Sequence, residues 1–126
     1  MIRYFVLLTM VVFCFPSGLI AQGNTDIAAL ELEVHNQINQ YRAGKGLREL
    51  KPNNAIRNEA LTHSKNMASG KVPFSHKGFD ERFNKLATIF NISSGSENVA
   101  NGPADAKTTV EGWLASPKHK ENIEGD

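Results

Sequence analysis

The sequence predicts an α+β domain dominated by helices, and two observations point to this class. Apolar residues recur at intervals of three and four along most of the chain, which is the spacing of helices that bury one face. Only one short stretch, Ser96–Ala100, has the character of a strand. The length of 126 residues is enough for one domain and no more.

The first 21 residues have the form of a secretory signal peptide. Arg3 gives a basic start, an almost wholly apolar run extends from Tyr4 to Phe15, and Ala21 offers a small residue for cleavage. The run is shorter than the roughly 20 residues that a membrane span needs, so we predict cleavage after Ala21 rather than an anchor. The predicted organisation is a signal peptide at 1–21 and one secreted domain at 22–126, periplasmic or extracellular, with no transmembrane anchor after cleavage.

Cysteine usage and charge narrow the function classes further. The only cysteine, Cys14, lies inside the apolar run, and lipidation there is disfavoured because the bulky Phe13 stands where a small residue is required. The processed domain has no cysteine, so it is predicted to be exported without disulfides. The net charge is +1 before Arg3 is removed, with no basic stripe, which argues against a nucleic-acid partner.

Four helices are predicted along the domain, each with one apolar stripe. Asp26 can cap the first, which ends near Gly44, and the second runs from the turn at Lys51–Asn54 to Gly70. The third is short, and the fourth covers Ala104–Ser116. The four stripes are Ile27, Leu30, Val34, Ile38 and Tyr41; Ile56, Ala60, His63 and Met67; Phe79, Phe83, Leu86 and Phe90; and Val110, Trp113 and Leu114.

Three polar residues on or beside these helices need separate comment. Two of them allow two interpretations each, and the third marks the end of a helix. We interpret Arg42 as a solvated helix-end cation, with a carboxylate partner as the alternative. We interpret His63 as a core-edge residue satisfied by the backbone, with a cleft residue as the alternative. Ser116 ends the fourth helix and can cap a short fifth one, which begins at Pro117 and presents His119.

Three motifs in a particular order resemble the CAP superfamily, also called the SCP domain, which groups cysteine-rich secretory proteins, antigen 5 and pathogenesis-related proteins. The resemblance runs from about Glu33 to the end of the chain and is nearest to the bacterial secreted branch. The motifs are Phe74-Ser75-His76, Ser96-Glu97-Asn98-Val99-Ala100 and Gly112-Trp113-Leu114-x-Ser116-Pro117-x-His119-x-x-Asn122-Ile123.

The resemblance implies an α-β-α sandwich with a central antiparallel sheet, whose remaining strands follow the Asn-Ile segment. Because the sequence stops at Asp126, we expect a C-terminally incomplete CAP-like domain, through a truncated gene or a natural short form. Ser96–Ala100 would then be an unpaired strand with an open edge. We therefore expect the processed chain to be unstable or dependent on a partner that supplies strands.

The resemblance also implies a surface cleft with two histidines and two acidic residues. His76 matches the first histidine and Glu97 the first acid, although Ser96 stands where glycine is usual. Ser116 occupies the position of the second acid, and the second histidine has no counterpart. We predict that His76 and Glu97 face each other as the candidate catalytic pair, with His119, Ser116 and His63 as rim residues that bind a ligand.

The candidate residues support more than one function. His76 could ligate a divalent metal such as zinc, but zinc requires three or four ligands, and His76, Glu97 and His119 make a thin set. The first hypothesis is a noncatalytic secreted binding module for a small apolar or lipid ligand. The second is a metal-assisted hydrolase or protease using His76 and Glu97, and the third is a nonfunctional fragment. The pair could also be a structural one that joins two loops.

Overall fold

The computed structural model of the chain describes residues 7–12, 23–101 and 105–125. Helices dominate these ranges, together with a sheet of two strands, so the predicted α+β class is confirmed. No helix in these ranges is both long enough and apolar enough to cross a membrane. The elements are β1 (Leu7–Val12), α1 (Gly23–Gly44), α2 (Asn54–Ala68), α3 (Phe79–Phe90), β2 (Ser96–Asn101), α4 (Ala106–Ala115) and α5 (Pro117–Glu124).

The first two helices begin at different kinds of residue. Helix α1 begins at Gly23, three residues before the Asp26 cap that we predicted. Helix α2 begins after Asn53, whose side-chain oxygen accepts hydrogen bonds from the backbone N–H groups of Ala55 and Ile56. These bonds satisfy two of the donors that a helix start leaves open, which is why the chain turns into a helix there.

The corner between α4 and α5 forms where Ser116 and Pro117 predicted it. Helix α4 starts after Asp105, whose carboxylate accepts from the Thr108 N–H at 2.7 Å, and Ala104, the predicted start, lies outside the described residues. Pro117 is the first residue of α5. Ser116 is extended and separates the helices, but its side chain makes no capping hydrogen bond, so the predicted capping by its hydroxyl is wrong.

Strand β2 lies between two helical layers, each with its own core. Val99 packs into a cluster with residues of α2 and α3, whereas the neighbouring Ala100 packs against a cluster of α1, α4 and α5. Successive side chains of a strand point to opposite faces, so one strand can serve both clusters. The buried apolar members are Ile56, Ala60, Met67, Leu86, Ile92 and Val99 in the first, and Val34, Ile38, Leu50, Ala106, Val110, Trp113 and Ile123 in the second.

Strand β2 has a partner in the full chain, whereas the expectation of an unpaired strand concerned the processed chain and stays a prediction. Leu7–Val12 pairs with it in parallel, in a continuous register from Leu7 opposite Ser96 to Val12 opposite Asn101. This segment lies within the predicted signal peptide. The same apolar run can serve as the core of a leader or as a strand, because both are compatible with a short stretch of apolar residues. Removal of residues 1–21 stays a prediction.

Arg42 is not the solvated cation that its place near the end of α1 predicted. Its side chain is buried, with 1% of the residue exposed. Nε donates to the Arg48 carbonyl at 2.8 Å, and Nη1 donates at 2.7 Å to the carbonyls of both Ile123 and Gly125. Arg42 therefore joins the end of α1 to the end of α5. These two ends are far apart in the sequence, so the residues around Arg42 alone could not predict this contact.

Candidate functional site

The site is built around Glu97, the second residue of β2. Its side chain is 1% exposed, although glutamate is among the residues that are least often buried. Glu97 and Val99 are two apart in the strand, so both side chains lie on the face toward α2 and α3. A buried carboxylate requires paired charge and hydrogen bonds, and two neighbouring segments supply them.

The first partner of Glu97 is His76, as the order of the motifs predicted. His76 Nδ1 lies 2.9 Å from Glu97 Oε1. Because an ionised carboxylate can only accept, the hydrogen of this bond is on Nδ1. The neutral ring then carries its free lone pair on Nε2, and half of the His76 side chain is exposed to solvent. The carboxylate thus holds the ring in one tautomer while part of the ring stays accessible.

The second partner, Arg82 of α3, was missed by the sequence analysis. Arg82 Nη2 donates to both oxygens of Glu97, at 2.9 Å to Oε1 and 2.7 Å to Oε2. Arg82 Nη1 donates to the carbonyl of Lys77 at 3.0 Å, next to His76. The Arg82 side chain is only 12% exposed. We call His76, Arg82 and Glu97 the buried-glutamate cluster.

Gly78 creates the turn that brings His76 and Arg82 to the same carboxylate. It has a φ of +80° as the N-cap of α3, a conformation that residues with a Cβ rarely adopt. A Cβ on Gly78 would also stand 3.2 Å from Arg82 Nη1. A side chain at this position would therefore strain the backbone and crowd the guanidinium. A glycine two residues after a motif histidine is the signal that could have drawn attention to this turn.

Two asparagines link the site strand to α5 on the opposite face. Asn98 is fully buried, and its Nδ2 donates to the carbonyl of His119 at 3.1 Å. Asn122 Nδ2 donates to Asn98 Oδ1 at 2.8 Å and to the Glu97 carbonyl at 3.3 Å. The motif residues Asn98 and Asn122 therefore hold the strand and helix α5 together, a role that the sequence analysis did not assign.

His119 is partly buried, and its surroundings lower the pKa of its ring. Burial is the larger cause of a lowered pKa at His119, and the charge of His76 lowers this pKa further. His119 thus stays neutral to a lower pH than its ordinary value of 6.5 would allow. The hydrogen bond from Asn98 to the carbonyl of His119 ties this residue to the strand that carries Glu97.

The lowered pKa of His119 predicts a loss of stability in mild acid. The unfolded chain takes up a proton near the ordinary pKa of 6.5, whereas the folded chain does so at lower pH. The stabilising contribution of neutral His119 is therefore fully present above its pKa in the unfolded chain. It falls as the pH drops from that value to the lower pKa of His119 in the folded chain. Urea unfolding at about pH 7.5 and about pH 5 should show this fall, and His119→Gln should reduce it. An equal fall in both proteins would contradict the prediction.

The other predicted rim residues lie in different surroundings. His63 is buried on α2, and its Nε2 lies 2.9 Å from the carbonyl of Ser75, so its ring is engaged by the backbone. Ser116 lies at the corner between α4 and α5. Ser96 is the first residue of β2, and Asn91 is the only non-glycine with a positive φ among the described residues, so Ser96 needs no glycine-like bend.

The donor set does not fit the zinc ion that we considered for His76. Within the described ranges, no three side chains of His, Cys, Asp or Glu come together as a metal site would require. Glu97 also carries the guanidinium of Arg82 on its oxygens, and that positive charge opposes a second cation at the same place. The interpretation of His76 as a metal ligand therefore finds no support in the arrangement of its neighbours.

Two open surface grooves lie apart from the buried-glutamate cluster. One is formed by α5 alone and the other by α1 and α4, and both mix charged and apolar residues. Neither contains His76, Arg82 or Glu97. The first is lined by Pro117, Lys120, Glu121, Glu124 and Gly125, and the second by Glu33, Gln37, Gln40, Tyr41, Lys107 and Val110.

The fold and site define an α+β domain in which a strand between helical layers carries a buried glutamate paired to a histidine. The family model for CAP, the cysteine-rich secretory protein family, matches residues 35–125. The chain therefore belongs to the CAP family, as the three motifs indicated. No curated protein and no solved structure matches the chain.

Proposed function

We propose that this CAP-domain protein is exported and acts as a noncatalytic binding module. The observation that carries the proposal is the burial of Glu97, whose carboxylate accepts hydrogen bonds from Arg82 and His76. A carboxylate that serves as a general base must have a free lone pair within reach of a substrate proton. Glu97 is 1% exposed, and both of its oxygens are occupied by fixed donors. It is therefore suited to hold His76 rather than to react.

The exposed part of the cluster offers a contact surface instead. His76 is half exposed and presents a ring whose tautomer is set by Glu97. Phe74, two residues earlier in the same segment, is 48% exposed and offers apolar surface. An imidazole and an aromatic ring in one short segment suit a ligand with apolar surface and one polar group. A small apolar or lipid ligand is the class that we propose.

A zinc titration separates this function from a metal-assisted hydrolase. We expect calorimetry of the full chain to show no stoichiometric zinc binding that His76→Ala removes, since Arg82 already neutralises Glu97. We expect no hydrolysis of ester or peptide substrates above that of the His76→Ala protein. Stoichiometric zinc binding that is lost in His76→Ala, together with metal-dependent hydrolysis, would overturn the noncatalytic assignment.

The proposed export predicts a new N-terminus in the exported protein. The basic start at Arg3, the apolar run and the small Ala21 predict cleavage after Ala21. Mass spectrometry of the protein recovered outside the cytoplasm should give Gln22 as the first residue, with or without cyclisation. Replacing Ala21 with a bulky residue should block this cleavage. A recovered protein that still carries Tyr4–Phe15, or a lipid on Cys14, would contradict the prediction.

A further inference from the structure

The irregular segment between α2 and α3 is held in place by side chains of α2. His63 Nε2 donates to the carbonyl of Ser75 at 2.9 Å, and the N–H of Ser75 donates to Met67 Sδ at 3.5 Å. His63 and Met67 are four residues apart, so their side chains share one face of the helix. Both backbone groups of Ser75 are thus bonded to α2.

The residues around Ser75 are fixed in a similar way. The N–H of Val72 donates to a carbonyl of α2 at 3.2 Å, and Ser75 Oγ accepts from the N–H of Lys77 at 3.2 Å. The carbonyl of Lys77 accepts from Arg82 Nη1 of α3 at 3.0 Å. Because these backbone groups are bonded within the chain, the segment presents its side chains outward rather than the edge of a strand. We call Lys71–Lys77 the basic loop.

The basic loop exposes an aromatic ring between two cations. Phe74 is 48% exposed, and the lysines at the two ends of the loop, Lys71 and Lys77, are exposed as well. Neither lysine forms an ion pair or a side-chain hydrogen bond with another residue that the structure describes, whereas Lys85 of α3 pairs with Glu59. The positive charge at both ends of the basic loop is therefore available to a partner.

The sequence around the basic loop contains no acidic residue. The chain has 13 Asp and Glu residues, yet none of them falls within 60–79, a stretch with three lysines. Asp80 and Glu81 follow in the first turn of α3, and the buried Glu97 is already paired with Arg82. A surface with this charge attracts an anionic partner.

We propose that the basic loop docks the protein on a lipid bilayer that contains anionic phospholipid. Phe74 enters the boundary between the headgroups and the acyl chains, and Lys71 and Lys77 contact the phosphates around it. Aromatic rings are favoured at this depth, and the long stem of a lysine lets its ammonium group reach the headgroups. Such docking deepens the proposed binding function and rests on it, because it assigns Phe74 to a lipid and specifies the charge and the setting of that lipid.

Two features favour a bilayer over a single acidic ligand. The lysine ammonium is a compact charge on a flexible stem, without the planar fork with which arginine selects one phosphate or carboxylate. Two such charges beside an aromatic ring suit a surface on which many phosphates are present. The bonds from α2 and α3 also hold the basic loop before it meets lipid, so little conformational freedom is lost on binding.

Co-sedimentation of the full chain with vesicles tests the docking. The vesicles contain phosphatidylcholine alone or phosphatidylcholine mixed with phosphatidylglycerol. We expect at least about tenfold stronger binding to the mixed vesicles, weakened by added salt. Lys71→Gln with Lys77→Gln should weaken this binding about thirtyfold, since each lysine near an anionic surface contributes a factor of about five. Phe74→Ser should weaken it about tenfold through the lost apolar contact.

Matched controls change the same properties outside the basic loop. Lys51→Gln with Lys107→Gln alters the net charge by the same amount, and Ile89→Ser removes an apolar side chain of α3 that is 60% exposed. Both controls should bind the mixed vesicles within about twofold of the unaltered protein. The apolar run Tyr4–Phe15 is present in every variant, so it cannot cause a difference between them.

Each outcome of the test decides the proposal. Equal binding to neutral and mixed vesicles, or equal losses in the loop variants and their controls, would overturn it and leave the proposed binding of an apolar ligand standing. No binding to either kind of vesicle would equally overturn it. Self-association that Phe74→Ser abolishes would then identify a second copy of the chain as the partner of the loop. The zinc titration and the hydrolysis assays test the noncatalytic function separately.

Discussion

Replacing Arg42 with alanine should destabilise the protein by about 3–5 kcal/mol, one of the two largest effects that we expect. The guanidinium donates to three backbone carbonyls, those of Arg48, Ile123 and Gly125. The bond to Ile123 is buried and the other two are partly buried, and a carbonyl left buried without a donor costs about 1–3 kcal/mol. Alanine would also leave a space at the junction of α1 and α5, because 99% of Arg42 is buried there.

The loss of the Arg42 hydrogen bonds should also affect the site, because these bonds hold the end of α5. The carbonyls of Ile123 and Gly125 are at the end of that helix, and Asn122, one residue earlier, holds β2. Urea unfolding followed by circular dichroism measures the change in unfolding free energy. Arg42→Lys should also destabilise the protein strongly, because lysine keeps the charge but not the planar fork that contacts separated carbonyls.

An exposed cation serves as the control for Arg42. Lys107 is 75% exposed and pairs with Glu111 at 3.9 Å on the surface of α4. Lys107→Ala should change the free energy of unfolding by less than about 0.5 kcal/mol. If Arg42→Ala had an equally small effect, the buried hydrogen bonds would not hold the ends of α1 and α5 together in solution.

The helices could be predicted because their causes are local. The three-and-four spacing of Val34 and Ile38, and of Val110 and Trp113, appears in the sequence, and all four residues are buried. The corner at Pro117 was also visible, since proline fits the first position of a helix. Arg42 has the same local features as a solvated cation at a helix end. Its buried role depends on carbonyls more than 80 residues away along the chain. The spacing of apolar residues gives no information about such long-range contacts.

The site could be predicted in part, for a related reason. The order of the motifs placed His76 beside Glu97 because the resemblance carried both residues. Arg82 lies outside those motifs, in the first turn of an amphipathic helix, where an arginine usually contacts solvent. Only the burial of Glu97 creates the need for a cation, and burial of one residue is known only once the strand is packed. The partner of β2 was missed because Leu7–Val12 has the composition of a leader.

Replacing Glu97 with alanine should destabilise the protein by about 3–5 kcal/mol, the second large effect that we expect. The substitution leaves the guanidinium of Arg82 in a site that is 88% buried, without its carboxylate. Removing one partner of a buried ion pair costs much more than removing both, because the remaining charge is desolvated and unpaired. Arg82→Met should be costly for the same reason, since it leaves Glu97 with His76 alone.

A double-mutant cycle distinguishes this buried pair from two independent contacts. The cycle compares Glu97→Leu, Arg82→Met and the chain with both. The double variant should recover a large part of the single losses, with a coupling energy of about 2 kcal/mol or more. Additive losses in the cycle would show that Arg82 and Glu97 do not stabilise each other. The surface pair Arg57–Glu31 is the matched control, and its coupling should stay below about 1 kcal/mol because both side chains are partly exposed.

A different substitution of Glu97, Glu97→Gln, tests what Glu97 does to His76, with a measurement that does not depend on stability. In the unaltered protein, the Nδ1–Oε1 contact of 2.9 Å places the hydrogen of the neutral ring on Nδ1. The ¹⁵N chemical shifts of the His76 ring should therefore report a protonated Nδ1 and an unprotonated Nε2. Glu97→Gln removes the charge that enforces this choice, so the ring should become a mixture of tautomers. An unaltered protein whose neutral ring carries its hydrogen on Nε2 would contradict the pairing from which the binding function is inferred.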